Sequence, residues 1–118
     1  MEIEFNSNNI LVYDSNPQGW FISRVSVMAK NNGADRNVLN GISGYCFAVC
    51  THDLDMVDNK IPIEAIQNNL IKLCSFAFYN SDKTFYLPYF NSMYCGHSPD
   101  LIENIMPHLP NNIKRIRV

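Results

Sequence analysis

Three short polar clusters hold the residue types that could bind or transform a small molecule: Asp14-Ser15-Asn16, Thr51-His52-Asp53 and Asn91-Ser92-Met93-Tyr94-Cys95-Gly96. Carboxylates and imidazoles exchange protons, while asparagine, serine and tyrosine hydrogen-bond a ribose or a phosphate. Each cluster also has a plainer use. Asn16 before Pro17 fits a helix cap followed by a first-turn proline. His52 beside Asp53 fits a surface loop pair, because no Ser or Cys nucleophile is set against them by a recognisable motif. Cys95 near His97 is weak as a pair, since sequence neighbours rarely form a working couple. Trp20 and Phe21 could stack on a base, although an aromatic on a helix face more often fills the core.

All three clusters follow runs that read as strands. Residues 10–13 are apolar and β-branched, residues 45–51 are apolar almost throughout, and residues 84–90 form a third such run. Continuous apolar character is the mark of a strand buried on both faces of a parallel sheet. Between the strands, Phe21, Val25, Met28 and Ala29 space as one face of a helix that starts at Asn16-Pro17 and closes at Asn31-Asn32-Gly33. Pro62 opens the clearest helix, along which Ile66, Leu70, Leu73, Cys74 and Ala77 trace one apolar stripe. Ser98-Pro99 caps a third, with Leu101, Ile102, Ile105 and Met106 as its stripe and Pro107 and Pro110 beyond it; residues 113–118 supply a last strand. This alternation predicts one α/β domain over residues 1–118, with a mainly parallel sheet and helices on both faces. Ligands bind such sheets beyond the carboxyl ends of the strands, where all three clusters fall.

Composition narrows the class. A chain of 118 residues suits one domain with its own core. Hydrophobic residues at 47% and charged residues at 17% place it among folded rather than disordered chains. With a net charge of −2 and basic residues bunched only at Lys114, Arg115 and Arg117, nucleic acid is an unexpected partner. No run approaches the roughly 20 apolar residues of a membrane span, and the acidic, Asn-rich start lacks a signal-peptide pattern. The expectation is a cytoplasmic protein, in the host cytoplasm if viral. Cys46, Cys50, Cys74 and Cys95 lack paired metal-ligand spacing, so free thiols, no metal and no cofactor are expected.

Around the second strand the chain resembles a known family. GYCFAVCTHD is similar to the GQSYAIPTKD segment of small macro-domain-like proteins common in bacteria and their phages. Lys60-Ile61-Pro62-Ile63-Glu64-Ala65-Ile66 resembles that family's TLPLEEI helix start, Val12-Tyr13-Asp14-Ser15-Asn16 its VFGSN, and Cys95-Gly96-His97-Ser98 its AGF turn. The resemblance runs in order over nearly the whole chain. It implies a macro-like three-layer fold and a cleft for ADP-ribose or a related nucleotide, with Asn16 near the distal ribose and Ser15 as the small residue before it. The glycine-rich phosphate loops depart from the pattern. In place of AGRHGAG stands Gln18-Gly19-Trp20-Phe21-Ile22-Ser23-Arg24, and in place of GCGLAG stands Asn91-Ser92-Met93-Tyr94-Cys95-Gly96. Only Gly19 and Gly96 remain, so side chains occupy space that backbone approach to a diphosphate needs. Arg24 could replace part of that contact with a charged fork.

The resulting expectation is a binding module for an ADP-ribose-like or other small nucleotide, with no or weak turnover. Its ligand set is Asp14, Ser15, Asn16, Gly19, Arg24, Asn91, Ser92, Tyr94 and Gly96, and no catalytic residue is assigned. In a phage protein such a module would sequester a nucleotide signal of host defence. One alternative is an ADP-ribosyl or phosphate hydrolase, with Asn16 orienting and Asp14, His52 or Asp53 as acid or base. The other is an interaction module in which Trp20, Phe21, Tyr89, Phe90 and Tyr94 meet a protein partner or a second copy.

Overall fold

A computed structural model describes residues 2–118. The most apolar runs of the chain become the middle of its sheet. β1 (Asn9–Ser15) and β3 (Cys46–Cys50) are buried along almost their whole length, as strands covered on both faces must be. They pair in parallel, with Leu11 opposite Cys46 and Ser15 opposite Cys50. β4 (Thr84–Pro88) runs parallel to β1 on its other side, and β5 (Ile113–Ile116) runs parallel to β4. A short edge strand, β2 (Gly41–Ser43), pairs antiparallel with β3 and completes the order β2-β3-β1-β4-β5. The chain is a compact α/β domain built on this mixed, mostly parallel five-stranded sheet. β2 has no counterpart in the sequence reading, because a three-residue strand is too short to show an alternation.

Successive strand residues face opposite ways, and the two faces of β3 meet different helices. The Cys46 thiol donates to the Ala29 carbonyl of α1 (Arg24–Asn31), while the Phe47 ring lies 5.2 Å from that of Phe76 in α2 (Ile63–Phe78). α2 buries Ile66, Leu70, Leu73 and Ala77, the stripe its periodicity predicts, with Cys74 at the margin. α3 (Pro99–Asn104) starts as its Ser-Pro pair predicts: the Ser98 hydroxyl accepts from the Leu101 amide. It buries Ile102 and stops at Asn104, so Ile105 and Met106 reach the core from non-helical chain. The buried apolar side chains form one continuous cluster. No helix among the described residues is long and apolar enough to cross a membrane. The four cysteines are free thiols; burial pushes Cys46 up to about 12 and Cys95 to about 11, which keeps both protonated.

The first helix begins later than the sequence predicts. Ser23, not Asn16, is its cap: the Ser23 hydroxyl accepts from the Ser26 amide at 2.9 Å, and the Ser26 hydroxyl accepts from the Ser23 amide at 2.9 Å. Asn16-Pro17 opens a turn instead. The Gly19 amide donates to the Asn16 carbonyl at 3.0 Å, and the Asn16 carboxamide holds both the amide and the carbonyl of Trp20, at 3.2 and 2.8 Å. Side-chain bonds to nearby backbone compete with the helix, and Gly19 at φ +69° leaves the helical path. Phe21 therefore packs from the loop onto Tyr13, with ring centroids 6.2 Å apart. The third strand also stops early, at Pro88, and residues Phe90–Ser92 make a single 3₁₀ turn.

Candidate functional site

The carboxyl ends of β1 and β3 are closed by the connection between β4 and α3. Asp14, fully buried at the end of β1, accepts from the Ser23 hydroxyl at 2.7 Å and from the Tyr94 amide at 2.9 Å. One carboxylate thus joins a strand end, a helix cap and the third polar cluster. Burial lifts its pKa to about 6, against the lowering effect of the Tyr94 and Ser23 bonds. At the end of β3, the Thr51 hydroxyl donates to the Tyr94 carbonyl at 2.7 Å. That hydroxyl has one proton, so toward His52 Nδ1, 2.9 Å away, it can only accept. His52 therefore carries its hydrogen on Nδ1. Burial lowers its pKa to about 4, although the Tyr94 carbonyl and Asp53 pull the other way. Its Nε2 has no hydrogen-bond partner among the described residues. The Tyr94 ring stands edge-on to the imidazole, centroids 4.7 Å apart, and the Tyr94 hydroxyl accepts from Asn59 Nδ2 at 2.7 Å.

These contacts correct the surface-pair reading of His52 and Asp53. His52 is fully buried, and Asp53 points away to the Gln18 carboxamide at 2.7 Å, which holds its carboxyl below the usual range. Gln18 also accepts from the Leu54 amide, so it staples the first loop to the second.

Of the predicted ligand residues, Arg24, Asn91 and Ser92 come together. With Val118 they line an open cavity of about 310 Å³ beside the start of α1. Arg24 is exposed and makes no hydrogen bond or ion pair among the described residues. The Ser92 hydroxyl donates to the Tyr89 carbonyl at 2.8 Å, which leaves its lone pairs as acceptors. Next to this cavity the Tyr89 ring is flanked by the guanidinium groups of Arg115 and Arg117, at 4.3 and 5.0 Å. Arg115 is neutralised by Glu103 at 2.7 Å. A larger groove of about 750 Å³ lies at the far end of α2, among Ile71, Cys74, Phe78 and Leu109; it has no Asp, Glu, Lys or Arg and none of the predicted residues.

The other predicted residues serve the scaffold. The Ser15 hydroxyl donates to the Leu39 carbonyl, and Asn16 is committed to Trp20. The void lined by Ser15, Asn16 and Gly19 is about 10 Å³, no more than one water-sized probe. A Cβ on Gly19 would sit 2.7 Å from the Arg36 carbonyl oxygen, and one on Gly96 2.8 Å from that of Asn59. Both glycines thus admit a neighbouring loop. Gly96 also needs its φ of +72°. Gly96→Ala is therefore expected to destabilise the protein by about 1–3 kcal/mol and to speed hydrogen exchange at the Tyr94 amide; unchanged exchange there would show that the loop does not depend on this contact. Ser23, Thr51, Gln18 and Asn59 are site-building residues that the sequence reading missed. Only Ser23 had a local signal, a capping spacing to Ser26.

No family model matches the chain, and no curated protein matches it significantly. Among solved structures, the chain is similar to a protein from Bacteroides thetaiotaomicron whose X-ray crystal structure was a Northeast Structural Genomics Consortium target. The TM-score is 0.60 at 9% identity, over 100% of this chain and 94% of that one. A likeness at that identity speaks for the fold alone.

Proposed function

We propose that the chain is a macro-like three-layer domain that holds a small anionic nucleotide of the ADP-ribose type without turning it over. The observation that carries this reading is the cavity in which Arg24, from the start of α1, faces Asn91 and Ser92 from the β4–α3 connection. Its 310 Å³ lies at the lower end of the about 300–1,000 Å³ typical of small-molecule sites, which suits one phosphoribosyl unit with the rest of the ligand in solvent. Arg24 offers a planar fork for a phosphate, and the amino end of α1 adds its partial positive charge. A guanidinium thus takes over what glycine-loop amides do in the family that the sequence resembles. Binding is favoured over hydrolysis because Asp14 and His52, the groups able to move a proton, are enclosed, and neither lines the cavity that holds Arg24. Sequestration of a nucleotide signal is the role that follows.

Calorimetric titration with ADP-ribose tests this. Wild type is expected to bind, and Arg24→Ala to lose about tenfold or more, since a hydrogen bond to a charged group contributes about 1.5–3 kcal/mol. No heat with ADP-ribose, ADP or cyclic dinucleotides would sink the reading. An interaction module is the second reading, favoured by Trp20 at 61% and Ile22 at 44% exposure on the first loop. It would gain if Trp20→Ala abolished self-association or partner binding while nucleotides gave no signal.

A further inference from the structure

Beside the Arg24 cavity lies a second one of opposite character. It holds about 140 Å³ and is walled by Ile3, Phe5, Met28, Ile116, Arg117 and Val118. Ile3, Phe5, Met28 and Val118 are only partly buried against the core, so each keeps apolar surface that the fold does not cover. The scaffold sets their positions. Met28 lies within α1, Ile116 ends β5, and the Phe5 ring stands edge-on to Tyr86 of β4, centroids 6.1 Å apart.

Two observations join the cavities. Val118 is a wall of both. Arg24 and Met28 are four residues apart in α1, which puts them on one face of the helix and about 6 Å apart along its axis. The polar cavity therefore continues, one helical turn on, into the apolar one. Neither has an Asp or Glu in its lining, so no acidic side chain there opposes an anion at Arg24.

The second cavity has the size of one small ring. An apolar cavity of about 150 Å³ takes up benzene, and both a phenylalanine ring and a methionine thioether make favourable contacts with an aromatic group. The one basic side chain in its lining, Arg117, has its guanidinium over the Tyr89 ring, 5.0 Å from the centroid. We infer that the two cavities are halves of one site, which takes a phosphate monoester of an aromatic group, phosphate at Arg24 and ring against Phe5 and Met28. This rests on the phosphate reading of the Arg24 cavity. That reading leaves the rest of the ligand in solvent, and the second cavity gives an aromatic part of it a seat.

Benzyl phosphate is the probe, because one methylene between ring and ester oxygen sets ring and phosphate about one helical turn apart. Inorganic phosphate and benzyl alcohol carry its two halves separately. The 118-residue chain is titrated with each and followed by NMR at the Arg24 Nε–H group and the Met28 methyl. Benzyl phosphate is expected to move both and to bind about tenfold tighter than inorganic phosphate, as burial of about two methylenes' worth of apolar surface provides. Inorganic phosphate should move Arg24 alone. Met28→Gln keeps the side-chain length and the helix propensity, and should bring benzyl phosphate down to the affinity of inorganic phosphate, which itself stays unchanged. If benzyl phosphate moves Arg24 with no gain in affinity while the wild-type Met28 methyl stays still, the joined site is overturned and the phosphate reading stands. The joined site is likewise overturned if benzyl alcohol binds as tightly as benzyl phosphate, or if Met28→Gln retains the tenfold preference. If neither phosphate compound moves Arg24, the phosphate reading and the joined site fall together.

Discussion

Asp14→Asn is expected to turn a protein with level stability between pH 4 and 6 into one whose stability climbs by on the order of 3 kcal/mol from pH 4 to 6.5. The wild-type plateau comes from two opposed titrations. Asp14 has a folded pKa of about 6 against an ordinary 3.8, so across that window the folded state keeps the extra proton and stability falls as pH rises. His52 has a folded pKa of about 4 against 6.5, so the unfolded state holds the extra proton and stability rises with pH. Each shift exceeds two units, hence a similar magnitude with opposite sign. Removing the Asp14 charge leaves the His52 slope alone. Asn fits the same place, its oxygen accepting from the Tyr94 amide and its amide donating to the Ser23 hydroxyl. His52→Asn should give the mirror image, stability declining as pH rises from 4 to 6.

Asp53 and Glu103 act only at the acidic edge of this window. Gln18 holds Asp53 low; burial pushes Glu103 up, but its hydrogen bonds with Arg115 and the Phe90 amide bring it below the usual value. A depressed carboxylate contributes stability above its unfolded pKa and loses it only as pH falls through its folded one, here below about 4.5. Urea unfolding at steps of one pH unit measures all three proteins. Parallel curves for wild type and Asp14→Asn would mean that Asp14 is solvated in solution and that the loop over it is open. A buried carboxylate that Asn could replace structurally, kept ionised at a cost, is the kind of group that binding sites retain.

Phe85→Ala is expected to cost about 3–5 kcal/mol, a large part of the roughly 5–15 kcal/mol by which domains are stable. Phe85 is fully buried in β4, with ring centroids 5.8 Å from Phe76 of α2 and 6.3 Å from Phe47 of β3. Truncation removes the contact by which three elements share one aromatic cluster, and relaxation of one neighbour cannot fill a space bounded by two rings. Phe85→Leu retains much of the volume and should cost far less. The urea midpoint decides it, and a loss under about 1.5 kcal/mol would show that the cluster closes around the gap.

Much of the fold was legible because its signals are local. The strands around residues 10–13, 45–51 and 84–88, the stripe of α2 and the Ser98-Pro99 cap all lie where apolar runs and periodicity place them. The start of α1 was not, although Ser23 and Ser26 have a capping spacing, because Asn16-Pro17 has an equally good one and only its bonds to Trp20 decide between them. The glycines illustrate the same limit. That Gly19 and Gly96 have a backbone reason to be glycine is visible in the chain, but the carbonyls of Arg36 and Asn59 that come close to them are not.

By itself, the sequence determined that this chain makes an α/β sheet and that its polar clusters end the strands, since both follow from neighbours a few residues apart. Only the tertiary structure decided which of those polar groups face a cavity and which are spent on the loops. Asp14 and Tyr94 are 80 positions apart and Thr51 and Tyr94 are 43 apart, so their bonds exist only once the sheet has assembled. The same assembly leaves Arg24 open beside Asn91 and Ser92, and encloses His52 with one nitrogen unpaired among the described residues. Burial sets the charge state of Asp14 and His52, and burial is a property of the packed chain rather than of any segment within it.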